Sequence, residues 1–259
     1  MSAAQARSIA TVRELRIPVP GEEIVLRARA AGSGPAVLLL HAFGEDLDVW
    51  WSRDWVPALL RHRRVIAFDA RGHGASTKPR DPSQYSAHAR VIDALAVLDV
   101  LDSRAVDVVG YAMGAWTALQ LASRVPGRVR SIVAGGVPAT GQQLSTLRRT
   151  LSGGMSAVVE MVEKQTGPLP EPTRERYLAN DVEALAAVCA EDRHTMIEEL
   201  AAFDGPAMFY VGERDTLRPA VESSAQHLGW PCRVIAGRDH FDLSLTGAAL
   251  PTVLDFLAG

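Results

Sequence analysis

The chain has 259 residues, of which 47 % are hydrophobic and 22 % charged, and its formal net charge at pH 7 is -3. These proportions are ordinary for a soluble globular protein. The chain has no broad basic field, so we expect neither nucleic acid nor a membrane as a partner. Cys189 and Cys232 are too few for a disulfide framework, and no cysteine and histidine spacing indicates a metal site.

Targeting signals are not evident in the sequence. Residues 1–7 lack the apolar stretch and the cleavage pattern of a signal peptide. The apolar runs fall far short of the roughly 20 residues that span a bilayer. We therefore predict a cytoplasmic protein.

The predicted strands fall into two groups. Residues 13–18 and 23–30 alternate apolar and polar side chains around a turn at Pro20 and Gly21, which is typical of half-exposed antiparallel strands. Six later runs are continuously apolar, as in central strands that are covered on both faces. These runs are residues 36–40, 65–68, 106–109, 132–134, 207–211 and 233–235.

Segments with helical periodicity lie between these predicted strands or follow the last of them. The predicted helices are residues 51–62, 87–101, 113–123 and 244–257. Strands and helices in this alternation predict an α/β fold: a mostly parallel sheet of about eight strands, with helices on both faces.

Residues 137–203 interrupt the alternation, because they contain no strand-like run. Helical patterns cover residues 144–163, 171–178 and 181–202 instead. The chain afterwards returns to the same sheet. We therefore expect one domain, residues 1–259, in which this insertion forms a helical cap over the carboxyl edge of the sheet.

The most informative motif is Gly110-Tyr111-Ala112-Met113-Gly114, where a buried strand passes directly into a helix. Small flanking residues are needed because the two backbones pass very close together, and the tight turn forces a strained conformation on the central residue. The turn holds that side chain above the sheet at a helix N-terminus, where backbone N–H groups favour a developing anion.

Four other motifs follow predicted strands. They are H-A-F-G at residues 41–44, D-A-R-G-H-G-A-S at 69–76, G-E-R-D at 212–215 and G-R-D-H-F at 237–241. Together with the strand-to-helix turn at residues 110–114, called the elbow from here on, these motifs resemble the α/β-hydrolase family. The elbow of that family reads G-x-S-x-G, and its catalytic residues follow in the chain order nucleophile, acid, histidine. The resemblance covers nearly the whole chain outside the cap and implies the α/β-hydrolase fold.

The resemblance also implies roles for three residues. Ala112 occupies the nucleophile position, His240 would move protons, and Asp215 would fix the tautomer of His240. The rival acids are Asp204, Asp239 and Asp242.

The resemblance further implies the surroundings of the reacting atoms. The backbone N–H groups of Phe43 and Met113 would form an oxyanion hole, and His73 would be structural. Tyr111 and Trp50 are predicted to line the substrate site, with core packing as the alternative for Trp50. Cap methionines that could wall an apolar site are Met155, Met161 and Met196.

Ala112 has neither a lone pair nor a proton to give, so it cannot be a nucleophile. We interpret the chain as a hydrolase of an ester, lactone or thioester of a small apolar molecule, inactivated by an engineered serine-to-alanine change. Tyr111 and Met113 favour serine over the aspartate of epoxide and haloalkane hydrolases, although an engineered aspartate-to-alanine change stays open. No cofactor is implied, and the expected partner is a small-molecule substrate.

Two alternatives to that interpretation stay open. The alanine could be natural, in a lyase, isomerase or cyclase that uses His240 and the oxyanion hole. The chain could also be a non-catalytic small-molecule-binding module, since fold alone does not choose a function. Substrate identity, the role of the cap residues and the oligomeric state are not indicated by the sequence.

Overall fold

A computed structural model describes residues 11–259. Residues 1–7, which are predicted not to form a signal peptide, lie outside the described residues. The described residues form a sheet of eight strands. The strands are β1 (Arg13–Pro18), β2 (Val25–Ala31), β3 (Ala36–Leu40), β4 (Arg64–Phe68), β5 (Val106–Tyr111), β6 (Val129–Gly135), β7 (Ala207–Gly212) and β8 (Cys232–Ile235).

The strand order is β1-β2-β4-β3-β5-β6-β7-β8. β2 pairs antiparallel with β1 and β4, and every later pair is parallel. The predicted mostly parallel, eight-stranded sheet is therefore confirmed. Because β3, β5 and β7 run in the same direction, the loops that follow them meet at one edge of the sheet.

Helices pack on both faces of this sheet, as predicted. Outside the segment between β6 and β7 they are α1 (Asp48–Ser52), α2 (Trp55–Leu59), α3 (Ala87–Val100), α4 (Met113–Arg124), α10 (Arg218–Leu228), α11 (His240–Thr246) and α12 (Leu250–Ala258). Neighbouring residues of β3 show the two faces: Leu38 belongs to the apolar core under α3, α4 and α10, whereas Leu39 belongs to the core under α2 and α12. No helix was predicted at α10.

Five helices lie between β6 and β7: α5 (Ser145–Leu151), α6 (Gly154–Thr166), α7 (Glu171–Leu178), α8 (Val182–Val188) and α9 (Ile197–Leu200). The predicted helical patterns at 144–163 and 181–202 do contain helices, but each range is divided into two separate helices. The first is interrupted at Gly154, which has a φ of +81°. The second is interrupted between Val188 and Ile197, and within that interval Arg193 forms an antiparallel bridge with Gln142. Gln142 and Arg193 are 51 positions apart in the chain, so helical periodicity, which reflects near neighbours only, does not predict the bridge between them.

Two other helices that the periodicity predicts as continuous are also broken. The helix predicted before β4 is divided into α1 and α2 at Asp54, and the helix predicted at the end of the chain is divided into α11 and α12 at Gly247. In each case a proline, Pro57 or Pro251, lies three or four residues beyond the break. A proline ring clashes with the carbonyl four residues earlier, so the helix cannot continue through that carbonyl.

The last predicted strand was expected among the central strands of the sheet but lies at its edge. β8 lies at the edge of the sheet, and Arg233 and Val234 in it are exposed. Its short apolar run is therefore not that of a central strand covered on both faces.

Among residues 11–259, no single helix is long and apolar enough to cross a membrane. The helices α11 and α12 reach the required length and composition only as a pair, and the pair is bent by 70°.

Candidate active site

The turn between β5 and α4 has the strained geometry that the glycine spacing predicts. Ala112 has a φ of +48° and a ψ of -107°, a conformation that side-chain-bearing residues rarely adopt. A Cβ at Gly110 would lie 2.5 Å from the backbone nitrogen of Ala115, and a Cβ at Gly114 would overlap the carbonyl oxygen of Leu40. Both positions therefore require glycine.

His240 and Asp215 are hydrogen-bonded at the carboxyl edge of the sheet. The His240 Nδ1 lies 2.8 Å from the Asp215 Oδ2, and the other Asp215 oxygen accepts from the backbone N–H of Leu217 at 2.8 Å. The Asp215 side chain is fully buried, whereas the His240 side chain is 22 % exposed. With Nδ1 donating to the carboxylate, Nε2 remains the nitrogen available for proton transfer.

Tyr111 fixes the backbone of His240. Its hydroxyl donates to the carbonyl oxygen of His240 at 2.7 Å, and the two ring centroids lie 5.4 Å apart. Burial, together with the nearby Asp215 carboxylate, raises the pKa of Tyr111 well above its usual value. The hydroxyl therefore keeps its proton and remains a donor at neutral pH.

A buried acidic side chain connects the loop after β3 to the helix that begins at His240. Glu45 accepts from Arg53 at 2.9 Å and from the Ser244 hydroxyl at 3.0 Å. Arg53 also donates to the carbonyl oxygen of Ser244 at 2.7 Å. A second carboxylate, Asp69, accepts from the backbone N–H of Leu47 at 2.8 Å. These bonds hold the loop in a defined position beside α11.

The predicted oxyanion-hole residues, Phe43 and Met113, lie beside the elbow residue Ala112, and no backbone acceptor is found for either N–H group among residues 11–259. Phe43 and Met113 line the same cavity as Ala112. Met113 is the first residue of α4, where an N–H has no partner within the helix. The Phe43 N–H likewise has no acceptor among residues 11–259. Two N–H groups beside the elbow residue are the arrangement that stabilises an oxyanion.

The two histidines of the neighbouring loops shape the backbone. The ring of His41 contacts the carbonyl oxygen of Ala42 at 2.8 Å through Nδ1 and accepts from the Ala70 N–H at 3.0 Å through Nε2. His73 is fully buried, and burial and the nearby His41 lower its pKa well below the usual value. The full burial of His73 fits the structural role predicted for it, and the contacts of His41 are likewise with the backbone of the two loops.

A cavity of about 280 Å³ opens above the elbow. Ala112, Asp215 and His240 line it together with Phe43 and Met113. On the opposite side its walls come from α5, α6 and α7. The side chains from these helices include Leu147, Val158, Met161, Val162 and Tyr177, and Leu144, the residue before α5, lines the cavity with them. The site residues predicted from separate motifs are thus brought to one largely apolar cavity.

Several predicted candidates lie elsewhere. Trp50 is only 4 % exposed and packs edge-to-face against Trp55 in the core beneath the sheet. Trp50 does not line the cavity, so its prediction as a substrate-binding residue is wrong: its indole is buried in the apolar core that includes Trp55. Of the three rival acids, Asp239 accepts from the backbone N–H of Asp242 at 2.9 Å as the N-cap of α11, and the Asp242 side chain forms a salt bridge with Arg238 at 3.0 Å. Asp204 does not line the cavity, and the carboxylate bonded to His240 is that of Asp215. Of the three methionines predicted as cavity candidates, only Met161 lines the cavity. Met155 is buried among residues of α5, α6 and α8, and Met196 is buried in the apolar core that includes α4.

The residues that line the cavity without having been predicted include Gln142, Tyr177 and Arg193. Gln142 and Arg193 lie in irregular segments that only the bridge between them brings together. Tyr177 is on the buried side of a short polar helix, which carries little periodic signal.

Comparisons with known proteins agree with this fold. The model of the α/β-hydrolase fold family matches residues 35–163. The solved structure of an enol-lactonase from Burkholderia xenovorans LB400 superposes with a TM-score of 0.79, is 25 % identical, and covers 95 % of this chain and 100 % of its own. The chain therefore belongs to the α/β-hydrolase fold family.

Sequence relatives match a shorter segment. A 2-hydroxymuconate semialdehyde hydrolase from Pseudomonas sp. strain CF600 is 39 % identical over 106 residues, which is 40 % of this chain and 36 % of that protein. An uncharacterized protein from Mycobacterium bovis is 42 % identical over 113 residues, or 42 % of this chain and 32 % of that protein. The match spans about a third of the length of these curated relatives.

Proposed function

We propose that the cavity above Ala112 is an acyl-hydrolase site, built for a small ester, lactone or thioester. The observation that supports this most directly is the hydrogen bond between His240 and Asp215 in the cavity that contains the elbow residue. Relatives named as a hydrolase and an enol-lactonase favour the same class of reaction.

The proposed reaction requires a serine at position 112. His240 would accept the serine proton at Nε2 while the serine oxygen attacks the substrate carbonyl. The N–H groups of Phe43 and Met113 would stabilise the oxyanion of the tetrahedral intermediate. His240 would then protonate the leaving group, and a water activated by the same histidine would release the acid.

With alanine at position 112, the covalent step cannot occur. The chain would then bind an acyl compound in the cavity, with its carbonyl near the oxyanion-hole donors, and leave the acyl bond intact. Because the cavity of about 280 Å³ is at the lower end of ligand sites, it favours a small substrate.

The change Ala112→Ser tests this proposal. We expect kcat/KM for para-nitrophenyl butyrate to rise at least a thousandfold, since loss of the serine costs roughly a million-fold in subtilisin. The matched control is the double variant Ala112→Ser with His240→Gln, in which most of the gain should disappear. No gain with any member of a panel of esters, lactones and thioesters contradicts the proposal.

A second candidate is a lyase, isomerase or cyclase reaction without a covalent intermediate. The specific observation in its favour is that the His240–Asp215 pair is complete although the nucleophile is missing. In that case the chain with Ala112 turns over a substrate and His240→Gln abolishes the turnover. If neither Ala112→Ser nor His240→Gln changes any turnover while a ligand still binds, the chain is a binding module.

A further inference from the structure

Two arginines near the catalytic cavity, Arg90 and Arg193, form no salt bridge with a carboxylate among residues 11–259, although the Asp93 carboxylate is close enough to Arg90 to favour its charge. Arg90 and Arg193 are half-buried, and within residues 11–259 their side-chain hydrogen-bond partners are a backbone carbonyl and an amide oxygen. Arg71, by contrast, is fully buried and forms a salt bridge with Asp93 at 2.6 Å. Because a shielded charge is costly without a counter-ion, the two unpaired arginines indicate a site for an anion.

Arg193 is held in a defined position. Its backbone exchanges two hydrogen bonds of 2.9 Å with Gln142. Its guanidinium donates to the Gln142 side chain at 2.8 Å and lies 5.4 Å from the ring centroid of Trp116. Burial and the positive charge of Arg90 lower the pKa of Arg193 to about 9, so it remains a cation at neutral pH. A guanidinium has five N–H donors, and most of these remain available to a ligand.

Arg193 lies on a wall between two cavities. A second cavity, of about 370 Å³, adjoins the catalytic one, and Phe43, Met113 and Arg193 line both. Arg90 and Trp116 line the second cavity. Trp116 is one helical turn beyond Met113, about 5 Å along the axis of α4. A molecule whose carbonyl lies at the elbow can therefore reach Arg193 with a short chain.

Three acidic residues line the second cavity, but none of them forms a salt bridge with Arg90 or Arg193. Asp192 accepts from Arg148 at 2.8 Å, and its same oxygen accepts from the backbone N–H of Leu144. Glu191 and Glu199 are exposed and form no salt bridge with a described residue. The guanidinium groups of Arg90 and Arg193 therefore keep N–H donors that a ligand can use, in a cavity that three carboxylates also line.

We propose that Arg193, assisted by Arg90, binds a carboxylate of the substrate whose acyl carbonyl lies over Ala112. The site then takes a short acyl compound with a negatively charged far end. A planar guanidinium matches the two oxygens of a carboxylate. The inference rests on the proposed function in one respect, namely that the substrate carbonyl lies over Ala112. The carboxylate site itself depends only on the two arginines and the cavity that they line.

Binding to the chain with Ala112 tests the carboxylate site without any turnover. In isothermal titration calorimetry we expect glutarate to bind at least tenfold more tightly than the neutral, similarly shaped glutaramide. Arg193→Gln should weaken glutarate binding at least tenfold, Arg193→Lys should weaken it less, and Arg90→Gln should also weaken it. The matched control is Arg61→Gln, which removes an exposed arginine and should leave glutarate binding unchanged.

Three results of this titration overturn the inference. One is equal affinity for glutarate and glutaramide. Another is glutarate binding that is the same in Arg193→Gln and in Arg61→Gln, with circular dichroism showing that both variants are folded. The third is inorganic phosphate binding more tightly than glutarate in an Arg193-dependent manner, because the site would then recognise phosphate rather than carboxylate.

Kinetics in the Ala112→Ser background separate this inference from the proposed function. We expect kcat/KM to be higher for mono-para-nitrophenyl glutarate than for para-nitrophenyl butyrate, and Arg193→Gln to lower that ratio roughly ten- to a hundredfold. Hydrolysis of both esters with a ratio independent of Arg193 overturns the carboxylate site and leaves the hydrolase proposal standing. If neither ester is hydrolysed, the hydrolase proposal fails, and the calorimetry alone decides the carboxylate site.

Discussion

At the scale of single residues, Tyr111 shows how closely the elbow and the histidine loop are connected. It is the last residue of β5, and its hydroxyl donates to the backbone of His240, which is 129 positions further along the chain. Its ring also stacks on Tyr210 at 5.8 Å. Since burial keeps the hydroxyl protonated, this contact holds the histidine in place whether or not a ligand is bound.

The change Tyr111→Phe should remove this contact with little change in volume. We expect the free energy of unfolding to fall by about 1 kcal/mol, as for one buried hydrogen bond. In the Ala112→Ser background kcat should fall about fivefold, because His240 is held less firmly. Urea unfolding and steady-state kinetics measure the two effects.

Tyr85→Phe is the control for that change, because the Tyr85 hydroxyl donates to the carbonyl of Pro79 at 2.5 Å and does not contact His240. It should cost similar stability without a fivefold loss of kcat for a neutral ester. An unchanged kcat in Tyr111→Phe contradicts the positioning role.

At the scale of elements, the path from β5 through Ala112 into α4 depends on close backbone packing. The conformation of Ala112 costs about 1–3 kcal/mol, and it persists because the surrounding elements hold it. α4 is buried from Met113 to Ala122, so it packs against the sheet over nearly its whole length. The strain is thus imposed by the packing of the strand and the helix, and it places residue 112 in the cavity.

The change Gly114→Ala tests this packing. A Cβ there would overlap the Leu40 carbonyl, so β3 and α4 must separate, and we expect a loss of at least about 2 kcal/mol in the free energy of unfolding. Gly127→Ala is the matched control, because no atom lies within 4 Å of its Cβ position, and it should change stability by less than about 1 kcal/mol. Equal losses in the two variants, measured by urea unfolding, would show that the elbow is not tightly packed.

At the scale of the whole molecule, burial of a titratable group couples folding to pH. His73 lies in the turn after β4, fully buried, and its Nε2 has no partner among residues 11–259. Burial and the nearby His41 hold its pKa far below the usual value of 6.5. Below about pH 6.5 the unfolded chain therefore binds a proton at this position that the folded protein does not bind, and stability falls.

We expect His73 to contribute a loss of up to about 1.4 kcal/mol per pH unit in the free energy of unfolding below pH 6.5. His73→Gln should remove this part of the slope, whatever its effect on stability at pH 7.5. Urea unfolding at pH 7.5, 6.5, 5.5 and 5.0 measures it. His62→Gln, at an exposed position, should keep the slope of the parent protein, and an identical slope in both variants rules out the contribution of His73.

Much of this arrangement could be predicted from local patterns. All eight strands lie where apolar runs or alternation predict them, because the period of a strand is a property of a few neighbouring residues. The elbow was predictable because its glycines are required by two backbones in contact. The helix breaks before Pro57 and Pro251 could also have been predicted from the sequence, because a proline ring clashes with the carbonyl four residues earlier and ends the helix there.

The sequence by itself therefore determined the sheet, the elbow and the absence of a nucleophile at residue 112, because each depends on residue type and on close neighbours in the chain. Only the tertiary structure decided that Trp50 lies in the core and that Arg193 lies between two cavities. The place of Arg193 depends on its bridge with Gln142, 51 positions earlier. Contacts of that range are set by how the helices between β6 and β7 pack on the sheet, and no local period encodes them.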